Sequence, residues 1–196
     1  QNLGKAERVI DAKGMLILPG GIDAHCHIEQ ESSTRIMTAD DFYSGSVSAA
    51  FGGNTTFLPF AAQHRGQSLR DVVDSTQERA RSKAVIDYGL HLIISDPTQK
   101  VLEDELPLLI KEGYTSFKVY MTYEMLKIND SEILDILDIA RRNGALTMVH
   151  AENNEIINWI SERLLQRGYH EPKFHAVSHS PVAESEASRR AIDLAR

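Results

Sequence analysis

A single cysteine, Cys26, stands in 196 residues, which excludes an intrachain disulfide framework and suits a reducing compartment. No stretch approaches the roughly 18 consecutive apolar residues of a membrane span, and no charged-then-apolar leader opens the chain. Positive charge is scarce too. Against 28 Asp and Glu there are 21 Lys and Arg, a formal charge of −7, which argues against a phosphate-backbone partner. Glycine-rich phosphate loops are also missing: neither Gly-x-Gly-x-x-Gly nor Gly-x-x-x-x-Gly-Lys follows the first apolar run, so the dinucleotide and P-loop readings lose their fingerprint. These absences predict a cytoplasmic protein with no nucleic-acid and no membrane partner.

What is present is material for a core. Hydrophobic residues make up 42% of the chain, enough for a globular domain. Apolar runs rich in β-branched residues start near Ile22, Asn54, Ile86, Thr115 and Leu146, roughly every 30 residues. Helical periodicity fills the intervals, over residues 39–51, 68–82, 101–111, 131–142 and 155–167, and returns over 184–196. Strands alternating with helices at this spacing predict at least five βα units of a parallel sheet. Gly52-Gly53, Gly113, Asn143-Gly144 and Gly168 each follow a helical stretch, where a left-handed residue commonly ends a helix. Pro107 falls inside the third stretch and predicts a stop or a kink there.

Residues 1–18, two apolar runs about a turn at Lys13-Gly14, read as the end of a small β element, with the main domain over 19–196. Two architectures fit: an open doubly wound sheet, or part of an eight-stranded barrel of about 250 residues. An opening at Gln1 rather than Met, and an end at Arg196 within a helical pattern, carry the expectation that the chain is a piece of something longer.

The chemistry-bearing residues gather at strand ends. Gly20-Gly21-Ile22-Asp23-Ala24 runs into His25-Cys26-His27. Alternation on a strand puts His25 and His27 on one face and Cys26 on the other, a geometry that can chelate one metal ion. In the fourth run, Phe117, Val119 and Met121 share a face while Lys118 lies opposite with Ser116 and Tyr120. An inward lysine ligates metal only after losing its proton, which from a reference pKa of about 10.4 costs roughly 4.6 kcal/mol at pH 7. Burial supplies part of that, and reaction of the neutral amine with carbon dioxide would give a carbamate whose two oxygens can each hold a metal. The competing reading is a lysine snorkelling to solvent. At the end of the fifth run His150 brings a third histidine to the same end of the sheet. Metal-ligand chemistry at strand ends suits the C-terminal face of a barrel.

These residues carry a resemblance. Pro19 to His27, Ala39-Asp40-Asp41-Phe42 with Ala49 to Thr56, Phe117 to Tyr123, and Val149-His150-Ala151-Glu152-Asn153 are similar to the dihydropyrimidinase and hydantoinase group of cyclic amidohydrolases, within the amidohydrolase superfamily. The resemblance implies a (β/α)8 TIM barrel of which the first five to six βα units are present, preceded by the end of a small β-sandwich. It implies two Zn2+ ions per complete subunit, bridged by a carboxylated Lys118. His25 and His27 would hold one ion and His150 the other. It further implies a homotetramer, and a hydroxide between the metals that opens a small cyclic amide. Tyr123 would hydrogen-bond the substrate carbonyl and its developing oxyanion.

The group also requires a further metal histidine and a proton-shuttling aspartate on later strands, which lie outside this chain. The segment alone is therefore expected to show no turnover. The group's relatives that take a carboxylate substrate carry an arginine two places after the His-x-His; Glu29 stands there, which argues against such a substrate. His64, His170, His175 and His179 read as loop residues, and His91 as a residue in or beside the core. The expected function is zinc-dependent opening of a dihydropyrimidine- or hydantoin-type ring. Alternatives are a cyclic imide or allantoin hydrolase, a non-catalytic assembly protein on the same scaffold, and an unrelated α/β binding module in which Lys118 is exposed and unmodified.

Overall fold

The computed structural model describes residue 4 and residues 6–32 and 36–196. Six strands form one sheet: β1 (Gly21–Cys26), β2 (Asn54–Ala62), β3 (Asp87–Tyr88), β4 (His91–Ile93), β5 (Ser116–Tyr120) and β6 (Leu146–His150). Their order is β1-β2-β4-β5-β6 with β3 also on β2, and every named pairing is parallel. Spatial order follows chain order without reversal. A doubly wound sheet needs a switch point where the order turns back; this sheet has none and is the first part of a barrel wall.

The helices are α1 (Phe42–Phe51), α2 (Leu69–Lys83), α3 (Leu106–Lys111), α4 (Asp130–Asn143), α5 (Asn154–Gln166), α6 (His175–Ser178) and α7 (Pro181–Leu194), and all but α6 follow the predicted segments. Short-range chemistry sets their ends. Asn129 caps α4 by accepting from the Glu132 amide, the Glu132 carboxylate returns to the Asn129 amide, and Gly144 closes the helix at φ 69°. Residues 101–111 resolve into a π-helical turn, Val101–Glu105, followed by α3 with Pro107 in its first turn. Proline lacks the amide that an uninterrupted helix would use, and the wider turn ahead of it absorbs the mismatch.

Two differences from the sequence reading concern local structure. The run near Ile86 is interrupted, so β3 and β4 are separate short strands with Gly89 and Leu90 between them. Among the described residues of 1–18 no strand forms. The turn at Lys13-Gly14 is present, with Gly14 at φ 80° and the Met15 amide bonded to the Ala12 carbonyl, but Val9, Ile10 and Met15 to Leu18 are exposed.

The main core lies between the outer face of the sheet and the helices. Phe117, Val119 and Met121 of the β5 segment pack there with Leu92, Ile94, Leu106, Leu109, Ile133 and Ile136. The inner face carries a much smaller apolar cluster of Phe60, Ile93 and Tyr120. Pairing between β1 and β2 is irregular. Asp23 pairs with Phe57 and Cys26 with Pro59, so three steps on β1 match two on β2, the signature of a bulge.

Candidate active site

The inner face of the wall, at the C-terminal ends of its strands, collects the histidines and the lysine. His25 and His27 both pack against the Phe60 ring, with centroid separations of 4.7 and 5.0 Å, and stand 5.4 Å from each other. Cys26 turns the other way, into a cluster with Ile28, Phe42 and Phe57. Burial, and secondarily the nearby Asp23 carboxylate, push its thiol up to about 11, so it remains protonated and unavailable as a thiolate.

Lys118 is 9% exposed. Its Nζ lies 3.3 Å from His25 Nε2 and 5.2 and 5.3 Å from the ring centres of Phe60 and Tyr120. Among the described residues no carboxylate forms an ion pair with it. Desolvation holds its pKa below the ordinary lysine value. A snorkelling, solvated lysine is thereby excluded. His25 is held below its own ordinary value by burial first, then by Lys118, His27 and His91, against an opposing push from Asp23.

His150 ends β6, where it pairs with Tyr120 of β5. The Tyr120 ring stacks on it at 5.3 Å and the Tyr123 ring lies at 5.0 Å, so one aromatic residue neighbours both Lys118 and His150. His150 Nε2 is 2.8 Å from Glu152 Oε2. A carboxylate only accepts, so Nε2 carries the proton and Nδ1 is left as a lone-pair donor. The same logic applies to His27, whose Nδ1 donates to Gln30 Oε1 at 2.7 Å and leaves Nε2 free. Tyr123 sits at φ 69°, a left-handed conformation that is uncommon for a large residue. Its own carbonyl accepts from the amides of Leu126 and Lys127, which fixes the turn that presents the ring. Burial and the Glu152 charge raise its phenol above the ordinary tyrosine value; Tyr120, more buried, is pushed up to about 12. Both phenols are donors at neutral pH.

Among the described residues no three His, Cys, Asp or Glu side chains converge as a ready ligand set. The donor set is instead two imidazoles on one wall, a third on the strand next to the lysine, and a desolvated amine with no counter-ion. These are side chains that could hold divalent metal, provided the lysine becomes the anion that the cluster otherwise lacks.

Other sequence-stated residues fall elsewhere. The Glu29 carboxylate is engaged structurally: Oε2 accepts from the Phe42 amide at 3.1 Å and both oxygens lie 2.9 Å from Lys83 Nζ. His64 lies in a loop, 3.9 Å from Glu31. His170 is also in a loop, whereas His175 opens the one-turn helix α6 and His179 follows its end, a helical turn where a loop was expected. His91, expected in or beside the core, is 6% exposed on β4. Its Nδ1 is 2.6 Å from Ser116 Oγ and its Nε2 2.9 Å from the Ala24 carbonyl. Nothing in the sequence pattern signalled those two partners.

Comparison with known proteins bears on the family and the fold. The profile of the Amidohydrolase family matches residues 16–179. The chain is 44% identical over 188 residues to a D-hydantoinase of Geobacillus stearothermophilus, covering 95% of this chain and 40% of that protein. To a D-hydantoinase of Ralstonia pickettii it is 45% identical over 194 residues, covering 98% and 42%. Among solved structures, a D-hydantoinase superposes with a TM-score of 0.94 at 44% identity, over 98% of this chain and 42% of that one. A dihydropyrimidinase from Brevibacillus agri superposes with a TM-score of 0.93 at 40% identity, over 99% and 42%. The chain thus spans about two fifths of the length of the relatives it matches.

Proposed function

The chain belongs to the amidohydrolase family, and from that premise we propose that it supplies the first part of the active-site wall of a zinc-dependent hydrolase that opens a small cyclic amide, of the dihydropyrimidine or hydantoin kind. The observation that carries this reading is Lys118, desolvated and, among the described residues, without a carboxylate partner, with its Nζ 3.3 Å from His25 Nε2. A buried amine with a lowered pKa is the form that takes up carbon dioxide, and a carbamate there would give the cluster its missing negative charge.

His25 and His27 would hold one ion, His150 would hold the second through Nδ1, and carboxylated Lys118 would bridge them. Zinc bound there would polarise the amide carbonyl as a Lewis acid and lower the pKa of its water to about 7. The chain's own contribution is placement. Tyr123, kept protonated by burial and by Glu152, would donate to the substrate carbonyl and to the charge that develops on it. Glu152 fixes the His150 tautomer, and Phe60 and Tyr120 keep water from the lysine. A further histidine and a proton-shuttling aspartate would come from later strands. A homotetramer, a cytoplasmic location, and a second small β domain that includes residues 1–18 go with this reading.

The test is metal analysis of the full-length protein together with the mass of the Lys118-containing peptide and a panel of hydantoin, dihydrouracil, succinimide and allantoin. About two zinc per subunit, a carboxylated Lys118 and turnover of at least one ring are expected. A metal-free full-length protein with an unmodified lysine and no turnover would overturn the proposal in favour of a non-catalytic scaffold.

A further inference from the structure

His91 is the one buried imidazole to which the reaction as described gives no task. It lies on β4 at the floor of the inner face, its ring 5.1 Å from Phe60, and reaches strands on both sides of its own. Ser116, its Nδ1 partner, belongs to β5 and precedes Lys118 by two residues on the same face. Ala24, its Nε2 partner, belongs to β1 and directly precedes His25. A carbonyl only accepts, so Nε2 carries a proton and donates to Ala24, while Nδ1 is engaged with the Ser116 hydroxyl, which can donate or accept. Both nitrogens of the imidazole are thereby used.

The partner on β1 matters because of where it sits. The bulge between the Asp23–Phe57 and Cys26–Pro59 pairs leaves Ala24 and His25 without register partners on β2. An unpaired peptide in a bulge is free to tilt, and its tilt re-aims the side chain that follows. Within the bulge, His25 is otherwise restrained through its amide, which donates to Asp23 Oδ1 at 3.1 Å.

We propose that His91 is the positioning residue for His25: it pins the bulged Ala24–His25 peptide and ties it, through Ser116, to the strand of Lys118, so that one imidazole sets the separation of two candidate metal ligands on strands that do not pair. The role at the metal rests on the function proposed above, but the geometric claim does not, because the 3.3 Å contact is between protein atoms alone.

Two near-isosteric variants separate the halves of the clamp. In His91→Gln the amide reaches the Ala24 carbonyl and gives up Ser116; in His91→Asn it reaches Ser116 and gives up Ala24. Both keep a neutral polar group on the floor, so a merely structural role would lower the melting temperature of both alike. Crystal structures of the metal-free full-length variants should keep the His25–Lys118 contact in His91→Gln and lose it in His91→Asn. Zinc titration should show affinity close to wild type in the former and roughly 10- to 100-fold weaker in the latter, the usual cost of removing an outer-shell partner. Identical behaviour of the two variants, in either direction, overturns the inference. A wild-type protein that binds no zinc while its variants still differ in the metal-free contact would sink the proposed function and leave the positioning role standing.

Discussion

The two faces of β5 divide the labour of the molecule between neighbouring residues. Phe117 and Val119 point outward, are fully buried, and join a continuous apolar core under α2, α3 and α4. Lys118 and Tyr120 point inward, where the apolar cluster is small and the neighbours are His25, His150 and Phe60. The outer face gains stability from close packing. The inner face holds, among the described residues, an amine with no carboxylate partner out of water, a burial that costs free energy. A protein keeps such a group where chemistry needs it, and perturbed titratable groups gather at functional sites for that reason.

If that division holds, substitutions on the two faces should differ in kind. Phe117→Ala, on the outer face, should cost about 3–5 kcal/mol, read as a shift of the urea midpoint at unchanged slope. A cost under about 1 kcal/mol would mean the outer core does not carry the fold.

A second outer-layer test concerns Glu105, 6% exposed, which accepts from the Leu69 amide at 2.7 Å, the Arg70 amide at 3.2 Å and Ser68 Oγ at 2.9 Å at the start of α2. Glu105→Gln should cost about 1–3 kcal/mol. Burial pushes the carboxyl up, but bonds from Lys100, Ser68 and the Arg70 and Leu69 amides outweigh it and hold the group below its ordinary value. The stability it contributes is therefore complete above the unfolded value of about 4.3 and lost as pH falls through the depressed folded value. Wild type should lose stability in that window faster than Glu105→Gln; parallel curves would refute the assignment.

Asn129→Ala removes the α4 cap and, with it, the capping box, and should cost about 1 kcal/mol. The smallest change in stability is expected on the inner face. Lys118→Met should leave unfolding within about 1 kcal/mol of wild type, or raise it, because it replaces a desolvated amine with an apolar side chain of similar length. It should nevertheless abolish zinc binding in the full-length protein. Loss of several kcal/mol from Lys118→Met would show the lysine to be part of the frame and erase the contrast between the faces.

Much of this was legible beforehand because it depends on local periodicity. A period of two put Phe117, Val119 and Met121 opposite Lys118, and His25 and His27 opposite Cys26; the structure shows these faces in the packing of their rings and chains. Glycines at 53, 113, 144 and 168 take positive φ because each follows a helix that must end. Glu105 was not legible, since the amides it caps lie 36 and 35 positions away in the chain. Neither was His91. Its value comes from a bulge one residue long and from partners on β1 and β5, one of them two strands away in the sheet, and no spacing rule encodes either.

The sequence by itself determined the alternation of strands and helices, their caps, and which strand ends carry ligand-type side chains, because backbone geometry converts residue order into faces without reference to the rest of the chain. Only the tertiary structure decided that the strands run in unbroken order as a barrel wall, that Lys118 is buried beside His25, that Glu29 turns to Lys83, and that His91 bridges β1 and β5. Those outcomes depend on which distant groups meet and how much water they exclude, and desolvation is a property of the assembled neighbourhood rather than of any residue in it.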